Sequence, residues 1–383
     1  MNNFTFANPV KIIFGKGTIP QIAEEIPVDA RILLIYGGGS IKKNKVYDAV
    51  MEALAGRTVV EFSGIGANPE YETCLEAVEL VHAEKIDFLL AVGGGSVIDA
   101  AKFIALASKS EGDLWEIISK ARHPKTALPL GVILTLPATG TEMNGNAVIT
   151  KVETLDKSAL SSPLAFPKFS VLDPETTYTL PTKQIANGVV DAFVHTTEQY
   201  LTYPAGAAIQ DYFAESILKV LVHNGERAMK SPEDYEVRAN IMWACTWALN
   251  GWIGVGVPQD WATHSIGHEI TAFYGLDHAQ TLAIVLPGLL DILRKDKGDK
   301  ILQMGERVFD INTGSREDRI QRSIEAVDEF FRSLGVGTHL SDYGLGKEAA
   351  DKVVARYNER GWVLGEKHNV TTEVVENLLT KRL

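Results

Sequence analysis

The chain has 383 residues, 45% of them hydrophobic and 22% charged, a balance that belongs to globular proteins and excludes a disordered or fibrous chain. That length exceeds what one ordinary core organises and predicts two domains. With 49 acidic against 37 basic residues the formal net charge is −12, which disfavours binding to nucleic-acid phosphates or anionic lipid, so neither nucleic acid nor a membrane is an expected partner.

The opening MNNFTFANPVKIIFGKG lacks the basic start, apolar run and small-residue cleavage site of a secretory signal, and the expectation is a cytoplasmic enzyme. Two short β-branched runs, RILLIY (Arg31 to Tyr36) and TVVEF, are each followed by a helical pattern. Tyr47, Val50, Met51 and Leu54 share one helical face, and Leu75, Val78 and Val81 another. DFLLAVGGGSVIDAAKFIALAS repeats the order of strand, turn and helix. The physical solution to that repetition is a parallel sheet covered by helices on both faces. GVILTLPAT, NAVITKV and FSVLD are further strand candidates, ending near Asp173. From Thr182 onward the patterns are long and helical, which predicts an α/β domain over 1–181 and an all-helical domain over 182–383. Cys74 and Cys245 form no CxxC or other zinc spacing and read as buried thiols.

Two strand-to-helix turns carry the same letters, Gly37-Gly38-Gly39-Ser40 and Gly93-Gly94-Gly95-Ser96. Glycines there let backbone amides approach an anion, and the following helix N-terminus adds partial positive charge. Such turns also serve backbone geometry alone, and neither is the G-x-G-x-x-G fingerprint. The run LTLPATGTE adds Thr135, Thr139 and Thr141 at a strand end, hydroxyls suited to a ribose or pyrophosphate and equally to a plain turn.

In VVDAFVHTTE, Asp191 and His195 stand four residues apart and face the same way on a helix. An aspartate can hold a neighbouring histidine by a hydrogen bond and nothing more. WATHSIGHEITAFYGLDHAQTLA then supplies His264 and His268, again at i and i+4, with His278 after a glycine turn. Together these are five candidate ligands, where a first-row divalent cation uses four, or three plus an open position. HEIT is not H-E-x-x-H, because position 272 is Ala.

The runs from Val171 to Glu198 and from Trp261 to Thr281 resemble the two signature segments of the iron-containing (group III) alcohol dehydrogenases. YGGGS, GGGSVIDAAKF, LPATGTEMN and GVPQDWATH are similar to the branch of NADPH-dependent aldehyde reductases and butanol dehydrogenases. The resemblance spans essentially the whole chain. It implies the dehydroquinate synthase-like fold: an α/β dinucleotide-binding domain with a Rossmann-like parallel sheet, plus an all-α C-terminal domain. It implies one divalent metal ion, Fe2+ or Zn2+, on Asp191, His195, His264 and His278, with His268 facing the nicotinamide. It implies NADP(H) on the Gly93 to Ser96 turn, Asp99, Thr135, Thr139 and Lys157, short- to medium-chain aldehydes and alcohols as substrates, and a homodimer. The rival readings are a metal-dependent hydrolase, with the glycine turns holding a phosphate, and a nucleotide-dependent lyase on the same fold.

The residues themselves bear on NADPH against NADH. NAD-preferring dinucleotide folds place a carboxylate at the end of an early strand, where it would repel a 2′-phosphate. Here that strand ends in Tyr36 and three glycines. Gly38, Gly39 and Ser40 offer amides and a hydroxyl, and Lys42 and Lys43 follow with positive charge. A preference for NADPH is the expectation.

Overall fold

The computed structural model describes residues 1–119, 122 and 124–383. The chain forms two compact units, one of Ala7–Leu180 with Pro232–Thr246 and one of Met1–Phe6, Pro181–Ser231 and Trp247–Leu383. Two segments thus depart from a single cut at 181, for visible reasons. Met242 of the first exchanged segment sits in the α/β core, and Thr246 donates to buried Glu142. At the amino terminus, Asn2 N–H donates to the Gly256 carbonyl at 2.8 Å and Phe6 packs edge-on to Trp252.

The α/β unit runs β1 (Lys11–Phe14), α1 (Ile22–Glu25), β2 (Arg31–Tyr36), α2 (Val46–Ala53), β3 (Thr58–Phe62), α3 (Tyr71–Ala83), β4 (Phe88–Gly94), α4 (Gly95–Ala107), α5 (Trp115–Ile118), β5 (Leu130–Leu136), β6 (Asn146–Lys151), β7 (Asp156–Ser161) and β8 (Phe169–Leu172). Six strands form a parallel sheet in the order β1-β8-β5-β4-β2-β3. Its central strands are apolar at nearly every position because both faces are covered. Leu33, Ile35, Leu89, Ala91, Val132 and Leu134 point into the core shared with α3 and α4. Their alternates Ile32, Leu34, Leu90, Val92 and Ile133 point into the opposite core with α1 and α2. Each such Leu, Ile or Val side chain contributes about 1.5–3 kcal/mol by leaving water. NAVITKV is a strand as expected, but it pairs antiparallel with β7 in a separate hairpin rather than joining the sheet.

The second unit contains α6 (Thr182–Tyr200), α7 (Ala208–Lys230), the end of α8 (Tyr235–Ala248), α9 (Ala262–Tyr274), α10 (His278–Ile292), α11 (Arg294–Phe309), α12 (Arg316–Ser333), α13 (Lys347–Arg360) and α14 (Thr372–Lys381). Among the described residues it has no strand, only an isolated bridge between Leu364 and Val370. One face of α6 is anchored by Phe193, packed 5.3 Å from Phe330 and 5.4 Å from Phe331 of α12. Lys297 of α11 is buried and donates to Asp260 at 2.7 Å, to Glu366 at 3.1 Å and to the Leu201 carbonyl at 2.7 Å. That three-way tie fixes the loop leading into α9. No helix among the described residues is long and apolar enough to cross a membrane.

Candidate functional sites

In the helical unit, α6 carries Asp191, His195 and Glu198 at i, i+4 and i+7, one buried face of a regular helix. Asp191 Oδ1 lies 3.6 Å from His195 Nδ1 and 3.6 Å from His278 Nε2. That is too long for a hydrogen bond. It is close to the edge of about 3.4 Å between donors that surround one ion tetrahedrally at about 2.0–2.1 Å. His195 Nδ1 is buried and has no hydrogen-bond partner among the described residues. One donor atom each of Asp191, His195 and His264 lie within 4.8 Å of one another. A carboxylate with imidazoles, drawn together at ion-sharing rather than hydrogen-bonding distance, fits a divalent metal. Burial pushes the His195 ring down to about 4, with Asp191 opposing, so it is neutral at physiological pH, the form that ligates a metal.

His264 comes from the first turn of α9, and its Nδ1 contacts the Glu198 carboxylate. The other Glu198 oxygen accepts from the N–H groups of Thr263 at 2.6 Å and His264 at 3.4 Å, the amides that open α9. One carboxylate thereby anchors the helix start and fixes the ring orientation through Nδ1. Sequence reasoning missed Glu198. The available signal was its place seven residues after Asp191, on the same helical face.

His278 opens α10, where Asp277 and Gln280 form a capping box. Asp277 Oδ2 also accepts from Asn187 at 2.8 Å and Lys183 at 2.9 Å, both on α6 one to two turns before Asp191. Those bonds set the start of α10 beside α6. The approach of α9 to α10 requires Gly267, where a Cβ would meet Thr281 Oγ1 at 2.9 Å. The His264 and His278 ring centres stand 5.1 Å apart. His268, one turn further along α9, is half-buried, 6.2 Å from the His264 ring and 5.1 Å from that of His278. The four residues Asp191, His195, His264 and His278 are thus gathered, with His268 beside the rim.

In the α/β unit the Gly93 to Ser96 turn joins β4 to α4 and packs against the end of β5. A Cβ on Gly93 would meet Val97 at 2.6 Å, one on Gly94 the Leu136 Cβ at 2.9 Å, and one on Gly95 the Thr139 Oγ1 at 2.7 Å. These glycines are required by close approach, and the approach brings Thr139 to the turn. Thr135 is buried on β5. Asp99 accepts from the Thr141 hydroxyl at 2.6 Å and from Val148 N–H at 2.9 Å, tying the hairpin to α4. Lys102, fully buried, donates to Thr141, Asn144 and the Asn146 carbonyl, and burial lowers its ammonium to about 7. Ser96 donates to the Ala67 carbonyl and Lys157 donates to Asn68 at 3.0 Å, so both flank the same loop.

The Gly37 to Ser40 turn is more open. No atom lies within 4 Å of a Cβ built on Gly38 or Gly39, and Gly39 adopts φ 90°. Lys42, read from the sequence as positive charge for a phosphate, is held instead by Glu61 at 2.9 Å. An acid is therefore present at this end of the unit, on β3 rather than β2.

Residues 9–174 match the family described as iron-containing alcohol dehydrogenase, and residues 185–383 the C-terminal part of the Fe-containing alcohol dehydrogenase family. The chain is 55% identical over 378 residues to the NADPH-dependent aldehyde reductase YqhD of Escherichia coli (strain K12), covering 98% of each chain. It is 40% identical over 389 residues to the probable NADH-dependent butanol dehydrogenase 1 of Bacillus subtilis (strain 168), covering 100% of each. The crystal structure of E. coli K-12 YqhD superposes with a TM-score of 0.98 at 53% identity, covering 100% of this chain and 99% of that one.

Proposed function

The chain belongs to the iron-containing alcohol dehydrogenase family, and from that premise we propose that it is an NADP(H)-dependent aldehyde reductase and alcohol dehydrogenase for short- to medium-chain substrates. The observation that carries the reading is the gathering of Asp191, His195 and His264 donor atoms within 4.8 Å of one another, with His195 and His278 each 3.6 Å from Asp191 Oδ1. When bound, a divalent cation supplies Lewis-acid polarisation of a carbonyl and reduced nicotinamide supplies hydride.

Asp191, His195, His264 and His278 would hold that cation, Fe2+ or Zn2+, since carboxylate and imidazole suit both. Glu198 keeps His264 in the ligating orientation. His268, half-buried at the rim, delivers a proton to the product oxygen. The Gly93 to Ser96 and Gly37 to Ser40 turns, with Thr135, Thr139 and Lys157, hold the dinucleotide. Asp99 joins them: its two described bonds use two of about four lone-pair sites on a carboxylate, which leaves capacity for a ribose hydroxyl. A homodimer completes the proposal and rests on the family resemblance. Hydrolase and lyase readings are disfavoured, because the relatives above carry oxidoreductase names.

The test is elemental analysis of the purified protein combined with the absorbance of NADPH on adding butanal. About one equivalent of iron or zinc with aldehyde-dependent loss of NADPH is expected. Metal present with no NADPH consumed would return the hydrolase reading.

A further inference from the structure

We infer that Glu61 sets the protein's selectivity between 2′-phosphorylated and unphosphorylated dinucleotides by competing with the phosphate for Lys42. The inference rests on the reading that the Gly37 to Ser40 turn receives the adenosine ribose.

Glu61 lies on β3 opposite Leu34 of β2, the strand that runs into this turn. Its Oε2 accepts from the Tyr36 hydroxyl at 2.7 Å and from Lys42 Nζ at 2.9 Å, and its Oε1 accepts from the Tyr47 hydroxyl at 2.6 Å. Lys42 Nζ also stands 5.1 Å from the Tyr36 ring centre and 4.5 Å from that of Tyr47. The ammonium is thus held by one carboxylate and two aromatic faces within reach of the turn. Hydrogen bonds from Tyr47 and Tyr36, reinforced by Lys42, pull the Glu61 carboxyl down to about 2, so it stays ionised at any working pH.

The pair is not sealed in. The Lys42 side chain is 45% exposed and that of Glu61 34%, so the ammonium can swing away from its carboxylate at small cost, as half-exposed pairs are weak. A 2′-phosphate arriving at Gly38 to Ser40 is a second, more highly charged partner for it. Drawing Lys42 across leaves Glu61 ionised beside a dianion, a like-charge arrangement that opposes binding. A 2′-hydroxyl makes no such demand. Glu61 therefore weakens NADP(H) and leaves NAD(H) nearly untouched, tempering a preference that the glycines and lysines of the turn create.

The experiment measures equilibrium binding of 2′,5′-ADP, 5′-AMP, NADP+ and NAD+ to the full-length protein and to Glu61→Gln, Lys42→Gln, the double variant and Gly38→Asp. Gln at 61 keeps the shape, accepting from one tyrosine with its oxygen and donating to the hydroxyl oxygen of the other with its NH2 group, and unchanged 5′-AMP binding reports an intact fold. Glu61→Gln should tighten 2′,5′-ADP and NADP+ by roughly three- to tenfold at low salt, with 5′-AMP and NAD+ changed by less than about twofold. The gain should shrink in the Lys42→Gln background and in high salt. Equal change for both ligand classes, or none, overturns the role of Glu61. If Gly38→Asp leaves 2′,5′-ADP binding unaltered, it is instead the ribose-binding reading of the turn that fails.

Discussion

Glu198→Gln replaces a carboxyl that burial pushes well above the usual carboxylate range with an amide of nearly the same volume, and its effect on metal binding can be worked out from the bonds it changes. Glu198 Oε1 accepts from two α9 amides, and Oε2 contacts His264 Nδ1. As an acceptor at Nδ1, the carboxylate requires that nitrogen to carry the proton and leaves Nε2 with its lone pair. Gln can keep one oxygen on the amides, but its NH2 group then faces Nδ1. A donor there stabilises the opposite tautomer, with Nε2 protonated and unable to ligate.

Loss of an outer hydrogen bond of this kind typically costs about 10–100-fold in metal affinity, which corresponds to about 1.4–2.7 kcal/mol. The assay is competition of the loaded variant against a chelator of known affinity, read by elemental analysis and accompanied by NADP+ binding to report folding. Affinity should fall by that factor while NADP+ binding stays within about twofold. A variant that retains wild-type metal affinity refutes the argument, because His264 would then be oriented without Glu198. Glu198→Asp, which shortens the reach but keeps a carboxyl group, should recover part of the loss.

The remaining expectations separate the residues by role. His278→Ala, which removes a donor facing Asp191, should abolish bound metal and nearly all turnover while dinucleotide binding persists; full metal content in this variant would remove His278 from the ligand set. His268→Ala should keep its metal and lose about 10²–10⁴-fold in turnover, the usual contribution of a proton-transfer group; loss of metal would place it among the ligands. Gly38→Asp should raise the KM for NADPH much more than that for NADH. The open surroundings of Gly38 accept the side chain, so unequal KM values would report electrostatics rather than misfolding.

What the sequence discloses depends on how far apart the interacting residues stand. RILLIY and GVILTL were legible because strands buried on both faces must be apolar throughout. KIIF escaped because four residues with one fully buried side chain make no pattern, and DKSALS because a hairpin strand with a single buried side chain is mostly polar. Periodicity shows that Tyr235 to Ala248 is helical, yet it carries no information about which core Met242 enters. Asp191, His195, His264 and His278 stood out because their residue types are uncommon in apolar helices and their spacings repeat.

Glu198 and Glu61 were hidden for a shared reason. A lone glutamate in a sequence reads as a solvated surface group, and each of these acts only through a partner far along the chain. Glu198 meets His264 because α9 begins where α6 ends its buried face, and Glu61 meets Lys42 because β2 and β3 pair in a register that places it beside Leu34. Neither glutamate is proposed to touch a reacting atom. One fixes which nitrogen of a histidine is available, and the other fixes how much of a lysine's charge is. The linear sequence therefore exposes the groups that bind, and the fold is needed to expose the groups that set how strongly they bind.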